Sequence, residues 1–294
     1  MTATLVPTPT GATRRAPRRR RRRITPSGVV AAIVMAVLVV STLYPMLWLL
    51  FGSLKSSGEF YTNTWGLPAD WTWTNFADAW QLADLGARFL NTLIVTAGTL
   101  VILVPVASMA GYVLAKFSFR GRAPIYYGLL FGITIPFGVL AVPTMITTIQ
   151  FHLFNSLLGL ILVSVAQAVP FGVFLMETFF SSIPDDIEEA ARLDGCSRFG
   201  AFARVILPLA VPGVATLAIF TGLGTWNDYL MASVLLRSEG IQTLAQGLVV
   251  FTAKHTTDYP TLFAALVTVT APIVLLYLVA QKQFIRGMTA GAIR

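Results

Sequence analysis

Residues 28–51 read GVVAAIVMAVLVVSTLYPMLWLLF and contain no charged side chain over 24 positions. A helix of about 20 apolar residues is long enough to cross the hydrocarbon core of a bilayer. Charged residues make up only 12% of the 294 residues, and hydrophobic residues make up 55%. That is too little charge to cover a soluble globular surface, and too much apolar surface for a disordered chain. The stretch therefore predicts a transmembrane helix, and the composition predicts an all-α membrane protein.

Further crossings follow when the chain is read from one charged residue to the next. The stretch from Ala123 to Met176 holds 54 residues without a charge. It is too long for one crossing, and a polar break at 150–155 predicts a turn near its middle. We predict six transmembrane helices, at 28–51, 89–115, 124–148, 157–177, 209–235 and 259–281. Residues 1–27 are then a basic tail, predicted to be disordered, and residues 28–294 form one six-span domain with an inner loop at 181–208.

The positions of Lys and Arg indicate which side of the membrane each loop occupies, because positive charge is retained in the cytoplasm. With six spans both termini lie on one side, and that side carries seventeen of the 21 Lys and Arg, eight of them between Arg14 and Arg23. Both termini are therefore predicted to be cytoplasmic, in a multi-pass protein of the plasma membrane. An Arg run is also typical of a nucleic-acid-binding arm. Because an uncharged span follows it at once, we favour a topology signal that touches anionic membrane lipid and expect no nucleic-acid partner.

The sequence contains few of the residue combinations that catalytic or metal-binding sites require. The single cysteine, Cys196, excludes a disulfide within the chain, and His152 and His255 are too far apart in sequence for metal-ligand spacing. No Gly-Lys dipeptide occurs, so the chain has no P-loop for a nucleotide. We expect no catalytic residue, metal or cofactor. If transport is driven by ATP, a partner must bind the nucleotide.

The inner loop at 181–208 has the residue pattern of a helical hairpin. Pro184 suits the first position of a helix, the two Asp after it complement the positive end of the helix dipole, and Gly195 suits a left-handed turn. A second helix is predicted from about 197 to 206. Its apolar residues share one face at i, i+3 and i+7: Phe199, Phe202 and Ile206. The hairpin is either an ordinary solvated loop or a peg that fits a groove on a cytoplasmic partner.

Asp228 is the one acidic residue well inside a predicted span, where a carboxylate usually faces a cavity or a partner. Either it caps or hydrogen-bonds a neighbouring helix, or it borders a solute pathway with Trp226, Asn227 and Tyr229. Amide and carboxylate groups pair with sugar hydroxyls, and an indole stacks on a sugar face. The weaker candidates, which hydrogen bonding between helices explains at least as well, are Asn91, Gln150 and Gln167.

The longest outer segment, residues 52–87, is rich in aromatic side chains. Within it we predict a short surface helix at 75–80. Tryptophan in such a segment either lines the membrane interface or stacks on a sugar ring, and the interface is the commoner arrangement. The tryptophans concerned are Trp65, Trp71, Trp73 and Trp80.

Two stretches of the inner loop resemble the EAA signature of ABC-importer permeases: EAARLDG at 189–195 and ILP at 206–208. Two further stretches are similar to the carbohydrate-uptake, maltose-permease-like branch of that binding-protein-dependent transport family. They are WNDY at 226–229 and FIRGMTAGAIR at 284–294. Cys196 departs from the family pattern, which usually has Ala there, and its role stays open.

The resemblance implies a type I ABC-importer permease fold whose cytoplasmic hairpin carries a coupling helix. It implies a transport subunit rather than an enzyme, which moves a sugar or sugar-like solute into the cytoplasm. The implied partners are a second permease subunit, two cytoplasmic ATP-binding subunits that hydrolyse ATP, and an extracytoplasmic solute-binding protein. The residues implied to couple to the ATPase are Glu188, Glu189, Ala190, Ala191, Asp194 and Gly195. In this arrangement Glu189 faces the ATPase cleft, both alanines pack against it, and the glycine allows the sharp turn.

Two other classes of membrane protein compete with this interpretation. An ion-coupled secondary transporter needs ionisable residues near the membrane midplane, and the predicted spans hold almost none. An intramembrane enzyme needs a nucleophile with a base, or a metal set, and neither assembles from two distant His and one Cys in a loop. An ABC-importer permease is therefore the preferred interpretation, with the identity of the sugar left open.

Overall fold

The computed structural model describes the backbone of residues 26–251 and 258–290, with side chains at 29–251, 258–275, 277 and 278. Every regular element within these ranges is helical, which agrees with the predicted all-α class. The chain divides into two units, Met1–Leu47 and Trp48–Arg294. The predicted disorder of the basic tail falls on residues 1–25, which lie outside the described residues, and the first helix begins at Pro26.

The α-helices of the described residues are α1 (Pro26–Gly52), α2 (Ser57–Thr62), α3 (Thr74–Leu82), α4 (Leu85–Lys116), α5 (Arg122–Thr134), α6 (Ala141–Gln150), α7 (Leu157–Ser181), α8 (Asp185–Leu193), α9 (Arg198–Ala201), α10 (Leu207–Leu209), α11 (Val211–Trp226), α12 (Leu230–Leu235), α13 (Leu244–Gly247) and α14 (Tyr259–Ala290). Short 3-10 helices occur at Phe137–Leu140, Glu239–Ile241 and Leu248–Phe251, and a π-helix occurs at Phe202–Ile206.

Helix α1 carries the first predicted span. Its side chains from Val29 to Leu47 are exposed and almost all apolar. A helix that is apolar on all sides needs an apolar surrounding. The segment Val29–Gly52 is long and apolar enough to cross a membrane.

The core of the second unit is built on α4, α7 and α11. Helices α4 and α7 are unbroken and contain the spans predicted at 89–115 and 157–177. Their backbones approach closely, because a Cβ atom at Gly111 would lie only 2.8 Å from the backbone nitrogen of Glu177. Leu217 of α11 is fully buried in the same cluster. The other fully buried members include Leu103, Ala107, Met176, Phe180 and Ile206.

The span predicted at 124–148 is not one continuous helix. Helix α5 ends at Thr134, and the helical stretch that follows is bent from it by 92°. Pro136 lies at the bend in an extended conformation, with φ −65° and ψ 123°. Proline lacks the N–H that continues a helix, and its ring clashes with the preceding turn. The chain therefore passes through a 3-10 helix before α6 begins.

The span predicted at 209–235 is also interrupted. The helices Arg198–Leu209 and Val211–Trp226 meet at a bend of 73°, and α11 then ends at Trp226 instead of continuing to 235. Asn227 favours this ending because its side-chain amide donates to the carbonyl oxygen of Leu223 at 2.8 Å. The remainder of the predicted span is the separate helix α12.

Among the described residues, three unbroken helices and two bent pairs are long and apolar enough to span a membrane, which allows up to five crossings. The sixth predicted span, 259–281, lies on α14. The apolar part of that helix, Tyr259–Leu275, is shorter, and the side chains beyond Leu278 lie outside the described residues. This last crossing stays a prediction.

Contacts of α4 distinguish two ends of the second unit. At its C-terminal end, Lys116 Nζ donates to Asp185 Oδ1 at 2.6 Å, which attaches the hairpin at 181–208. At its N-terminal end, the side-chain amide of Asn91 donates to two carbonyl oxygens of the 240–242 turn, each at 3.0 Å. The hairpin and the outer segment, which directly precedes α4, therefore lie at opposite ends.

Candidate functional site

The first arm of the hairpin is helix α8, which has three acidic residues in its first turn. Pro184 caps the helix instead of occupying its first position, so the predicted start is shifted by one residue. Gly195 has φ +89°, which confirms the predicted left-handed turn. An L side chain at such a φ is strained, and glycine is not. The turn reverses the chain between the two arms.

The second arm combines helix α9 with the π-helix Phe202–Ile206. Phe202 and Ile206 are buried, at 6% and 0% exposure, whereas Phe199 is 70% exposed. The Phe199 ring still lies beside that of Phe202, with centroids 6.2 Å apart, so these two residues share a face as predicted, and Phe199 lies at its exposed edge.

The predicted coupling residues divide by exposure. Exposed members of the set are Glu189, Ala190, Asp194 and Gly195, and Glu188 is partly buried. Ala191 is only 7% exposed, so it packs inside this chain and is not presented to a partner. Helix α8 needs one small inward residue because it lies against the π-helix of the second arm.

Leu193 is the residue of the hairpin that sequence reasoning did not single out. It is 89% exposed at the end of α8. In the sequence it lies between Arg192 and Asp194, close to the turn glycine Gly195.

A cavity of about 390 Å³ lies between α7, α11 and α12. Its aromatic lining includes Phe171 and Phe220, whose ring centroids are 5.9 Å apart. Gln167 also lines it, and its amide nitrogen is buried with no hydrogen-bond partner among the described residues. The remaining polar lining consists of Ser164, Thr221, Thr225 and Asp228. The cavity thus combines aromatic faces with hydroxyl, amide and carboxylate groups.

The four predicted pathway residues do not face one space. Asp228 lines the cavity, and its Oδ1 also accepts the backbone N–H of Met231 at 3.1 Å, which caps α12. Asn227 and Tyr229 are exposed. Trp226 packs edge-on against Phe89 at 5.5 Å. Helix α11 ends at Trp226 and α12 begins at Leu230, so Asn227, Asp228 and Tyr229 lie in the connection between two helices and their side chains take different directions.

Trp226 instead lines a second, smaller cavity of about 190 Å³ with residues of α4 and α14. Its indole N–H is buried and has no hydrogen-bond partner among the described residues. The lining is otherwise almost entirely apolar, and includes Leu100, Ile219 and Pro272. Trp226 therefore belongs to the packing of α11 and not to the cavity that contains Asp228.

A third cavity, of about 490 Å³, adjoins the first, since Gln167 and Phe137 line both. Phe137 lies on the 3-10 helix at the bend between α5 and α6. Threonines of α6 provide most of the polar lining on this side: Thr144, Thr147 and Thr148. The sequence alone could not predict that these threonines line a cavity, because hydroxyl residues also occur in apolar helices without that role. Among its weaker candidates, Asn91 makes the structural hydrogen bonds described above.

The outer segment is held by a network around Glu59. Its Oε1 accepts the backbone N–H of Ala69 at 2.7 Å and the side-chain amide of Asn63 at 3.2 Å. The hydrogen bond from Ala69 is the main cause that lowers the pKa of Glu59 below its ordinary value. The predicted surface helix at 75–80 lies within α3. The tryptophans are 49–71% exposed: Trp65, Trp71, Trp73 and Trp80.

The family model for the inner membrane component of binding-protein-dependent transport systems matches residues 104–290. The diacetylchitobiose uptake system permease protein of Streptomyces coelicolor is 40% identical over 269 residues, which cover 90% of this chain and 89% of the relative. The melibiose/raffinose/stachyose import permease protein of Bacillus subtilis is 31% identical over 281 residues, covering 95% and 99%. A chain of the bacterial ABC transporter that imports the acidic polysaccharide alginate superposes with a TM-score of 0.74 at 24% identity, covering 90% of this chain and 98% of that one.

This chain belongs to the family of inner membrane components of binding-protein-dependent transport systems. It is a multi-pass permease subunit of an ABC transporter and has the importer permease fold. It is not an enzyme, and ATP hydrolysis belongs to a separate subunit. The predicted family and fold class are thereby confirmed, and the secondary-transporter and intramembrane-enzyme alternatives are set aside.

Proposed function

We propose that this chain is one of two permease subunits of an importer that moves a sugar or short oligosaccharide into the cytoplasm. Relatives that match along most of the chain are named for diacetylchitobiose, for melibiose, raffinose and stachyose, and for arabinooligosaccharides. Their shared chemistry is a neutral polyhydroxylated ring. A second permease, two ATPase subunits and an external solute-binding protein complete the assembly.

The single observation that carries the solute class is the lining of the 390 Å³ cavity. Apolar sugar faces stack on aromatic rings, which the Phe171 and Phe220 pair provides. Sugar hydroxyls need donors and acceptors, which Gln167 and Asp228 provide. The unpaired amide nitrogen of Gln167 would otherwise be an unsatisfied buried donor. A hydroxyl oxygen of a passing sugar would satisfy it.

The hairpin at 181–208 is the proposed contact with the ATPase. Glu189 and Ala190 are exposed on α8, so they are free to enter a cleft on a partner. Leu193 adds an apolar anchor beside them. Glu188, Asp194 and Gly195 complete the docking face, whereas buried Ala191 holds α8 against the second arm.

The proposed orientation puts the hairpin end of the second unit and both termini in the cytoplasm. Basic side chains at the hairpin end include Lys116, Arg120, Arg122, Arg192, Arg198 and Arg204. At the opposite end Lys55 and Arg88 are buried, at 1% and 7% exposure, and Arg237 is exposed, so fewer basic side chains lie there than at the hairpin end. This distribution follows the positive-inside rule. The exposed tryptophans of the outer segment then suit the outer membrane interface.

Uptake into proteoliposomes tests the proposed solute class. The complete transporter, with its ATPase, second permease and solute-binding protein, is loaded with internal ATP and offered labelled N,N′-diacetylchitobiose, melibiose or an amino acid. We expect accumulation of at least one of the two sugars and none of the amino acid. Accumulation of the amino acid alone would contradict a carbohydrate function.

A further inference from the structure

The last turn of α4 is the place where the membrane helices of the second unit meet both arms of the hairpin. Lys116 reaches the start of the first arm, and Tyr112 and Phe117 reach the second arm. None of these three residues lies in the EAA-like motif. Their contacts decide how a displacement of the hairpin is passed on.

Lys116 makes the polar attachment. Its side chain is only 4% exposed, and its Nζ lies 2.6 Å from Asp185 Oδ1 in the first turn of α8. The same ammonium donates to the carbonyl oxygen of Ile183, just before the helix. A buried ammonium that loses its partners is strongly unfavourable. The attachment therefore fixes the beginning of α8 against the end of α4.

Tyr112 and Phe117 make the apolar attachment. The ring centroid of Tyr112 lies 4.8 Å from that of Phe202 in the second arm and 5.7 Å from that of Phe180 at the end of α7. The guanidinium of Arg198 lies 5.1 Å above the ring of Phe117, a cation–π distance. The Tyr112 side chain is buried, and its hydroxyl faces charged residues of both arms, including Glu188. Both arms are thus held at one turn of α4.

Helix α4 is in turn fixed to the helix that lines the sugar cavity. Gly111, next to Tyr112, leaves no room for a Cβ atom against the α7 backbone. A Cβ at Gly172 would lie 3.1 Å from Ala107, so the two helices also fit closely one turn further along. Helix α7 carries Ser164, Gln167 and Phe171 of the cavity. Contiguous packing therefore leads from α8 through α4 to the cavity wall.

We infer that Lys116 and Tyr112 are positioning residues that clamp the hairpin to α4, so that the movement of the ATPase reaches the cavity wall on α7. This inference rests on the proposed coupling role of the hairpin. Coupling of this kind requires contiguous contacts between an effector site and an element with two arrangements. Loss of the clamp is expected to let the ATPase turn over without moving α7.

The test measures the number of solute molecules imported per ATP hydrolysed in the complete reconstituted transporter. Lys116→Met removes the ammonium and keeps a long side chain. We expect it to lower this ratio by about threefold or more, in the range of mutational effects on coupling, while the ATPase subunits still co-purify. Lys116→Arg keeps the charge and should retain most of the ratio. An unchanged ratio in Lys116→Met would overturn the inference.

The matched control is Glu177→Gln. Arg122 and Glu177 form an ion pair of 3.9 Å at the same end of the unit, and this pair joins α5 to α7. Glu177 Oε1 also accepts the hydroxyl of Ser181, where α7 ends and the hairpin segment begins, and the amide oxygen of glutamine can still accept this hydrogen bond. Loss of the ion pair should leave the import ratio unchanged. A ratio lowered equally by Glu177→Gln would show that any charge lost at this end has the same effect, and would also overturn the inference.

A charge-exchange double variant provides a second test if the transporter that carries Lys116→Met does not assemble. Lys116→Asp combined with Asp185→Lys should recover part of the import ratio that either single change loses, and no recovery would contradict the clamp. The proposed function fails separately: if Glu189→Arg at the hairpin tip leaves import at the wild-type rate, the hairpin does not couple to the ATPase, whatever Lys116 does.

Discussion

Asp228 is a single residue with two roles, one in capping a helix and one in lining the proposed sugar cavity. Its carboxylate accepts the N–H of Met231 and lines the 390 Å³ cavity. Sequence alone singled it out, because an acid in an apolar span is rare. Sequence could not place it, since that depended on where α11 ends. Gln167 could be identified as polar, but its unpaired amide nitrogen follows only from the packing of α7.

A pair of substitutions at Asp228 separates the two roles. Asp228→Asn keeps an oxygen that accepts the Met231 N–H, so thermal stability should change little, whereas the KM for uptake should rise severalfold because the charge on the cavity wall is lost. Asp228→Ala loses the cap as well, which should cost about 1 kcal/mol of stability. Unfolding in detergent and uptake kinetics measure these effects. Normal kinetics in both variants would leave Asp228 only its capping role.

The Glu59 network gives a pH dependence with a defined sign. Because hydrogen bonds to the carboxylate lower the pKa of Glu59 below its ordinary 4.5, they stabilise the outer segment above that pH. This stabilisation is lost as the pH falls through the lower, folded pKa. The protection of residues 57–70 against hydrogen exchange, corrected for the intrinsic exchange rate at each pH, should therefore decrease in acid in the wild type. In Glu59→Gln this acid-dependent change should be absent, and equal profiles for both proteins would contradict the network.

Among the elements, the boundaries that were predicted least well are those set by single residues inside apolar runs. The charge-free stretch predicts one helix through 124–148, but Pro136 ends it. The small-residue pair Gly128 and Gly132 suggests a close helix contact, and only Gly132 makes one: a Cβ there would lie 3.2 Å from the Pro170 side chain of α7, whereas a Cβ at Gly128 would meet nothing within 4 Å. Which face of an all-apolar helix packs inward depends on its neighbours and not on its own composition.

The hairpin, by contrast, was predictable because its residues carry strong local signals. Gly195 has φ +89°, and Gly121, in the turn before α5, has φ +95°; a Cβ atom added at either glycine would meet nothing within 4 Å. Gly195→Ala and Gly121→Ala should therefore each cost about 1–2 kcal/mol of backbone strain. Only Gly195→Ala should weaken co-purification of the ATPase, because only that turn sets the direction of α8. Equal loss of ATPase in both variants would argue against a specific role of the hairpin turn.

At the scale of the whole molecule, orientation depends on the distribution of charge. Cys196 is the single cysteine of the chain and lies in the hairpin, partly exposed. A membrane-impermeant maleimide should label it in inside-out vesicles and not in right-side-out spheroplasts. Asp78→Cys in a Cys196→Ser background lies on exposed α3 and should show the opposite pattern. Labelling of Cys196 from outside would reverse the proposed topology.

The most direct test of the whole account compares wild type with Glu189→Arg in proteoliposomes that contain the complete transporter. ATP-dependent accumulation of labelled sugar is measured together with membrane insertion of the permease. We expect uptake by the wild type only when ATP and the ATPase subunits are present, and loss of uptake in a Glu189→Arg protein that still inserts. Sugar accumulation by vesicles that hold this chain without any ATPase would contradict it.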